Sequence, residues 1–275
     1  MSIPISILTP QGVTAAPYSA DSMAEAATKE PQGVYTVART FERDKALLLD
    51  DHLARLENSA QLEGITVKLD RPALRVALRA LIDQSGYAES RFRITIPRTT
   101  PDQQIISLEP YKPVPDEIIH QGARIVTVNM ERQNPVAKTT KWAADRKVAV
   151  ESFPPGIYEG VLVSPDGALL ECTSSNFYAV LDNVLWTADD KLVLGGIARR
   201  IVFTVAPRIL PIRLKPIHVE QIDKISEAFL TSSGRGVVSI VEIGGKTIGE
   251  GRPGRFTHAI RRDYEVWAAA HLEPI

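Results

Sequence analysis

The sequence predicts an α+β protein of two domains, and three observations support this prediction. Short runs of alternating apolar and polar residues predict strands, as at 34–41 and 91–96. Apolar residues at helical spacing predict helices between the strands, as at 72–85. Two prolines and several polar residues interrupt both patterns in YKPVPDEIIHQG, at 111–122. We therefore expect an N-terminal domain at 1–115, a linker at 116–122 and a C-terminal domain at 123–275.

The N-terminal domain is predicted to contain a hairpin, further strands and two helices. Its first thirty residues are rich in Ala, Ser and Pro and indicate a poorly structured segment or a short helix without a chemical role. Asp50 and Asp51 suit the start of the first helix. Pro72 and Gly86 mark the ends of the second helix. The alternating charges at 91–96 predict a strand with one solvated face.

The C-terminal domain is organised around the segment YEGVLVSPDGALLECTSSNFYAV, at 158–180. Its SPDG tetrapeptide predicts a turn between two strands, and Asp182-Asn183 predicts a second tight hairpin. Glu171 ends the return strand and is followed by TSSN, a turn rich in hydrogen-bond donors. Further predicted elements are a helix at 142–151, a helix from Ile197, a strand at 237–243 and a last helix at 256–271.

Composition and charge exclude several classes of function. The 32 basic and 33 acidic residues are balanced, which argues against a nucleic-acid-binding surface. The chain has no run of roughly 20 apolar residues and no signal-peptide pattern, so we expect no membrane partner. Cys172 is the single cysteine and has no histidine nearby, which indicates a half-buried thiol in a reducing compartment. We therefore expect a cytoplasmic protein that acts on small molecules.

Three features carry the predicted chemistry. Glu171 adjoins an apolar strand, so it either lies at the rim or is held by a cation, because burying it alone would cost several kcal/mol. Lys138 supplies an amine. The amides that follow Gly195 and Gly196 open a helix and suit an anion. Each feature also has an ordinary structural explanation, but together they match an amine for an aldehyde, an acid for a ring nitrogen and amides for a phosphate, as in a pyridoxal phosphate site.

The order of the motifs resembles the class IV (fold-type IV) pyridoxal-phosphate aminotransferases, the group with branched-chain and D-amino acid aminotransferases and aminodeoxychorismate lyase. The resemblance implies a two-domain fold like that of D-amino acid aminotransferase, with the cofactor in the cleft between domains, and a homodimer. The resembling segments are GVYTVART, DDHLARLENSA, RFRITIPR, KTTKW, the segment at 158–180, LGGIARRIV and FLTSSGRGVVSIVEIGG.

The resemblance also implies roles for individual residues. Lys138, 33 residues before Glu171, would be the catalytic residue and form the Schiff base with pyridoxal 5′-phosphate, with Lys141 as the alternative. Glu171 would hold the ring nitrogen. The other predicted cofactor-binding residues are Arg55, Ser175, Asn176, Ile197, Ala198, Ser233 and Gly234. The predicted substrate-binding residues are Tyr35, Arg98, Thr231 and Ser232. Ala198 replaces the family's usual threonine, so backbone amides must bind the phosphate there.

The predicted function is transfer of an amino group between an amino acid and a 2-oxo acid, with no metal ion. A lyase of the aminodeoxychorismate type on the same site and a catalytically inactive scaffold are the alternatives. The presence of both Lys138 and Glu171 argues against the scaffold. The sequence does not separate transaminase from lyase. Its N-terminal strands are less aromatic than those of branched-chain enzymes, which favours a D-amino acid or an atypical substrate.

Overall fold

The structure is a computed structural model that describes residues 2–275. The strands are β1 Ile5–Thr9, β2 Gly12–Ala15, β3 Gly33–Phe41, β4 Lys45–Leu47, β5 Ser90–Pro97, β6 Gln104–Pro110, β7 Ala123–Val128, β8 Glu159–Val163, β9 Ala168–Cys172, β10 Asn176–Leu181, β11 Val184–Thr187, β12 Ile212–Leu214, β13 Ile217–His218, β14 Glu227–Ser232, β15 Gly236–Ile243, β16 Lys246–Thr247 and β17 Leu272–Pro274. The helices are α1 Met23–Lys29, α2 Leu49–Leu62, α3 Arg71–Ser85, α4 Asp116–Gln121, α5 Thr140–Glu151, α6 Ile197–Val205 and α7 Arg255–Ala270.

The chain divides into two compact units whose bounds differ from those of the predicted domains. The first unit contains the described residues through Lys112, together with Ala137–Ala144 and His271–Ile275. The second contains Pro113–Val136 and Asp145–Ala270. Lys138, predicted in the C-terminal domain, belongs to the first unit because its segment bonds to β3. The predicted linker contains α4 and belongs to the second unit.

The first unit is built on a seven-stranded antiparallel sheet in the order β17-β4-β3-β5-β6-β1-β2. One face of this sheet is apolar, with Val34 and Ala38 of β3 beside Phe92 and Ile94 of β5. The buried leucines of α2 and α3 join these residues in one core. The helical spacing seen in the sequence therefore forms the cover of this face.

The ends of α2 and α3 show which helix boundaries are set by neighbouring residues. α3 ends at Gly86, which has a φ of 68°, and Asp70 accepts a hydrogen bond from the amide of Ala73 at its start. These bounds confirm the prediction from Pro72 and Gly86. The prediction that aspartates cap α2 is wrong: Leu48 is the capping residue, and Glu273 of β17 accepts from the amide of Leu49 at 2.6 Å.

The second unit is built on a ten-stranded mixed sheet in the order β12-β11-β10-β14-β15-β7-β8-β9-β13, with β16 on β15. The pairs β7 with β8, β7 with β15 and β11 with β12 are parallel. The two predicted hairpins are confirmed. Gly167 takes a φ of 85° in the SPDG turn, and Asp182 and Asn183 take φ values of 52° and 57° between β10 and β11.

Residues 2–30 contain two strands and a helix, unlike the predicted loose segment. β1 pairs with β6 and β2 pairs with β1, both antiparallel. α1 begins at a Ser22 cap and buries Met23 and Ala26, beside Ile3 and Ala20. The short helix of the prediction is therefore correct, but it covers the second face of the first unit's sheet.

Candidate active site

Lys138 lies on a segment that is fixed to the edge of β3. The amide of Tyr35 donates to the Lys138 carbonyl at 3.0 Å, and the Lys138 amide donates to Ser59 Oγ at 3.2 Å. Thr140 Oγ1 accepts from the amide of Gly33 at 2.9 Å. The Lys138 Nζ lies 4.7 Å from the centroid of the Tyr35 ring. The structure thus brings two of the predicted site residues, Lys138 and Tyr35, into contact.

Arg55 and Arg98 were predicted to bind the cofactor and the substrate, respectively. Arg55 Nη2 donates to Thr36 Oγ1 at 3.1 Å, and Thr36 Oγ1 lies 3.0 Å from His52 Nδ1. Arg55 is therefore joined to β3, the strand that also carries Tyr35. Arg98 donates to the carbonyl and the carboxylate of Glu63 at 2.7 and 2.9 Å, at the end of α2. The Arg98 side chain is therefore engaged by a helix terminus.

Glu171 is buried in the second unit, at 3% exposure, and it is held by a cation. Its Oε1 accepts a short hydrogen bond from Arg132 Nη1, and both side chains are nearly fully enclosed. Its Oε2 accepts from the amide of Leu194 at 3.1 Å. Of the two alternatives open from the sequence, rim position or cationic partner, the structure has the second.

Asn176 and the glycine pair connect Glu171 with the start of α6. Asn176 Nδ2 donates to the carbonyl of Leu194 at 2.9 Å. Leu194 therefore binds Asn176 through its carbonyl and Glu171 through its amide. The N-cap residue of α6 is Gly196, which has no side chain to cap the first turn, and the first residues of the helix, Ile197 and Ala198, are buried. Backbone amides at such a helix start suit an anion.

A second buried acid, Glu159, holds two of the predicted polar turns. Its carboxylate accepts from Thr173 Oγ1 in a short bond, from Ser174 Oγ at 2.7 Å and from Arg235 Nη1 at 2.8 Å. Arg235 also donates to Ser174 Oγ at 2.8 Å and to Ser232 Oγ at 3.0 Å. The turns at 173–176 and 231–235 are therefore joined through one ion pair.

The remaining predicted residues lie in or beside these turns. Ser175 Oγ lies 3.5 Å from Glu159 Oε2, which is at the limit of a hydrogen bond. Thr231 Oγ1 donates to the hydroxyl of Tyr178 at 3.4 Å. Ser233 and Gly234 follow β14 in the turn before β15. The structure thus gathers Ser175 and Ser232 around Glu159 and Arg235.

Burial governs the chemistry of Glu159 and of the single cysteine. Burial, the largest influence on the Glu159 pKa, raises it, but the charge of Arg235 and the hydroxyl donors outweigh this effect and lower the pKa below its usual value. Glu159 is therefore an anion at neutral pH. Cys172 is free and buried, and burial followed by the charge of Glu159 raises the pKa of its thiol. This thiol is unsuited to act as a nucleophile.

Sequence reasoning missed three charged residues: Arg132, Glu159 and Arg235. Glu159 adjoins an apolar strand, and this signal was applied to Glu171 but not to Glu159. Arg235 ends the donor-rich turn TSSGR and could have been paired with an acid on that ground. Arg132 lies in a loop without periodic pattern, 39 residues from Glu171, and no local signal identifies it.

Two other findings limit the kinds of site. Among residues 2–275, no group of three or more His, Cys, Asp or Glu side chains is arranged to hold a metal ion. Over the same residues, no helix combines the length and the apolar character needed to cross a bilayer.

Comparison with known proteins identifies the family of the chain. The profile of the amino-transferase class IV family matches residues 33–243. A D-alanine aminotransferase of Bacillus licheniformis is 26% identical over 244 residues, covering 83% of this chain and 85% of its own. A putative branched-chain-amino-acid aminotransferase of Methanocaldococcus jannaschii is 22% identical over 251 residues, covering 85% and 86%.

Solved structures agree on the fold. A branched-chain amino acid aminotransferase from T.th., solved with pyridoxamine 5′-phosphate, superposes with a TM-score of 0.82 at 18% identity, covering 100% of this chain and 99% of its own. A putative branched-chain aminotransferase of Thermotoga maritima gives a TM-score of 0.78 at 22% identity, covering 96% of both chains. The α+β fold is thus that of the fold-type IV aminotransferases. The family profile spans well over half of the sequence, and the chain belongs to the class IV aminotransferases, which are pyridoxal-phosphate-dependent transaminases.

Proposed function

We propose that Lys138 is the residue through which this aminotransferase binds the pyridoxal phosphate aldehyde and passes an amino group from an amino acid to a 2-oxo acid. The observation that supports the proposal is the position of Lys138. Its backbone is held by Tyr35 and Ser59, while its Nζ stands 4.7 Å from the Tyr35 ring. A fixed backbone with an amine on an aromatic face suits a group that must meet one atom of a cofactor.

The residues present fit pyridoxal phosphate. α6 begins at Gly196, whose lack of a side chain leaves the backbone amides of the first turn to a phosphate. Glu171 is a buried acid tied to the backbone at Leu194, which suits a protonated ring nitrogen. When bound, the cofactor supplies an aldehyde that bonds to amines and a ring that withdraws electrons from the substrate. We assign the phosphate to Arg55, Ile197, Ala198, Ser233 and Gly234, the ring nitrogen to Glu171, and further cofactor contacts to Ser175 and Asn176.

The chain's own residues divide the work of proton transfer. Lys138 Nζ would hold the cofactor aldehyde between reactions and, when not bonded to it, would act as the base that takes the proton from the substrate Cα and returns one during product formation. Glu171 holds a proton on the ring nitrogen because its own charge favours the protonated form. Arg132 pairs with the Glu171 carboxylate and orients it. Tyr35, Thr231 and Ser232 are assigned to the substrate.

We propose a D-amino acid as the donor and a homodimer as the assembled form. D-alanine aminotransferases recur among the similar curated proteins, at 26% and 23% identity, which supports the first part. A donor panel in both enantiomers tests it, since faster turnover of L-amino acids would contradict it. The dimer and a cytoplasmic location rest on the family and on the single cysteine. A sedimentation mass near 30.2 kDa would contradict the dimer.

The decisive experiment on the site is borohydride reduction of the protein loaded with cofactor. We expect Lys138→Ala to lose the covalently fixed cofactor and its visible absorbance. Lys141→Ala is the matched control, because Lys141 is an exposed lysine three residues away. Cofactor fixed to Lys141 would overturn the assignment. Turnover that depends on an added 2-oxo acid distinguishes amino transfer from elimination by a lyase.

A further inference from the structure

A cluster of buried polar side chains lies on the second face of the first unit's sheet. In the register of this sheet Tyr35 pairs with Thr95, and Arg93 pairs with Ser107. Arg93 and Thr95 are two residues apart on β5, so their side chains share a face. Glu30, at the end of α1, accepts from Arg93 Nε at 3.0 Å and from Thr95 Oγ1 at 2.6 Å.

The ion pair of Glu30 and Arg93 is buried, but two of its polar atoms have no hydrogen-bond partner among residues 2–275. The Arg93 side chain is 6% exposed and that of Glu30 is 0% exposed. Within residues 2–275, Glu30 Oε1 and Arg93 Nη2 have no hydrogen-bond partner, and neither do the hydroxyls of Tyr18 and Ser107. Burial, followed by the charge of Glu30, raises the pKa of Tyr18 to about 12, so this hydroxyl is neutral. Buried polar atoms are normally paired, so these atoms are available to bind a polar group.

This cluster lies close to Lys138. Arg93 Cζ is 3.8 Å from the centroid of the Tyr35 ring, and Lys138 Nζ is 4.7 Å from the same centroid. The two distances add to 8.5 Å, which is the largest possible separation of Arg93 Cζ from Lys138 Nζ. This separation is short enough for the side chain of an amino acid bound at Lys138 to span it.

We propose that Glu30 and Arg93 recognise the side chain of the amino donor and select a neutral polar group, an amide or a hydroxyl. The proposal rests on the proposed function of Lys138. An amide pairs with both of the unpaired atoms at once, because its oxygen accepts from Arg93 Nη2 and its N–H donates to Glu30 Oε1. A hydroxyl can do the same.

Other side chains fit this pair poorly. The pair carries no net charge, so for a donor carboxylate or ammonium the attraction of one member is offset by the repulsion of the other, and the cost of removing that charge from water is not recovered. An aliphatic side chain would displace water and leave both atoms unpaired. The cluster therefore disfavours acidic, basic and branched aliphatic donors for different physical reasons.

The first test compares donors of matched shape on the loaded wild-type protein, in both enantiomers. Threonine against valine and asparagine against leucine differ in polarity at nearly constant volume. We expect kcat/KM to favour threonine and asparagine by at least about tenfold, since sites built around hydrogen bonds reject analogues that lack them. A preference for valine and leucine would overturn the proposal and assign the open atoms to ordered water.

The second test changes the charge of the pair. Glu30→Gln keeps the shape and leaves Arg93 as an uncompensated cation, so the ratio of kcat/KM for glutamate to that for glutamine should rise at least about tenfold. Glu25→Gln is the control, because Glu25 is an exposed glutamate of α1 paired with Lys29, and its ratio should stay at the wild-type value. A purely structural defect lowers both donors together, so an unchanged ratio in Glu30→Gln refutes the role of the pair.

Cofactor binding is measured in the same samples to separate the two levels of the hypothesis. Wild-type protein without cofactor fixed to Lys138 would overturn the proposed function, and this inference with it. Cofactor fixed to Lys138 combined with the wrong donor preference would overturn only the inference. If Glu30→Gln does not fold, the wild-type donor comparison decides the question without any variant.

Discussion

Replacing Glu159 with glutamine tests whether one ion pair holds the two polar turns of the second unit. Glu159 is 3% exposed and accepts from Thr173, Ser174 and Arg235. Glutamine keeps the shape of the side chain but removes its charge. Arg235 then lacks its counterion, and one of the hydroxyl donors faces an amide instead of an anion.

The expected loss of stability follows from the burial of the two partners. Removing one member of a buried pair costs about 3–5 kcal/mol. Arg235 retains 22% exposure, so water can reach its guanidinium, and we expect the lower end, about 3 kcal/mol. Glu242→Gln is the control, because Glu242 pairs with Arg124 at the surface, where Arg124 is 54% exposed. That change should cost no more than about 1 kcal/mol.

The pH dependence gives a second, independent sign. The Glu159 pKa is lowered in the folded protein from an ordinary value of 4.5. Its contribution is therefore complete above pH 4.5 and is lost as the pH falls through the lower folded value. The difference in stability between wild type and Glu159→Gln should be largest at neutral pH and should shrink in acid.

Urea denaturation followed by tryptophan fluorescence measures both effects, at neutral pH and at several values below 4.5. The reasoning is refuted if Glu159→Gln is as stable as Glu242→Gln at neutral pH. It is also refuted if the loss of stability is the same at every pH, because an uncharged packing defect would behave in that way.

Three further predictions concern buried groups. Glu171→Gln should fold and bind cofactor, but its half-reaction with an amino acid should slow by at least about tenfold, equivalent to about 1.4 kcal/mol. Stopped-flow absorbance measures this rate, and a rate equal to that of wild type would remove Glu171 from the site. Arg199→Met should lower the unfolding free energy by about 1.5–3 kcal/mol, because the buried Arg199, 2% exposed, donates to the Ala188 carbonyl at 2.6 Å. An unchanged denaturation midpoint would contradict this prediction. Cys172 should react with a thiol reagent only on unfolding, and fast labelling of the native protein would show that it is accessible.

The turns and helix ends that the sequence predicts correctly are those set by neighbouring residues. Gly167 is needed for the positive φ of the SPDG turn, and Asp182 and Asn183 are residue types that tolerate the left-handed region. Gly86 ends α3 for the same reason. In each case the residue that determines the backbone lies within the turn that it forms, so sequence alone is sufficient.

The interactions that the sequence could not predict join distant segments. The carboxylate of Glu273 caps α2 from 224 residues away, which makes the local aspartate signal misleading. Arg132 reaches Glu171 across 39 residues. Arg93 sits in an alternating strand and was predicted to be solvated, but it is 5% exposed because α1 and Glu30 cover that face. The contacts that order residues 2–30 are likewise made with distant strands, which is why the predicted loose segment is not found.

The glycine pair before α6 shows how one sequence signal can combine two physical causes. Its interpretation as an anion site requires close approach of a ligand to the backbone. For Gly196 the neighbour is a side chain of the protein, since a Cβ there would lie 2.2 Å from Asn176 Oδ1, at an ordinary φ of −68°. Asn176 also holds Leu194, and Leu194 holds Glu171. A side chain at Gly196 would therefore displace Asn176 and disturb Glu171 before any ligand is considered. Gly195 has open space around its Cβ position, so no neighbouring protein atom accounts for a glycine there. The interpretation as an anion site therefore applies to Gly195 and not to Gly196.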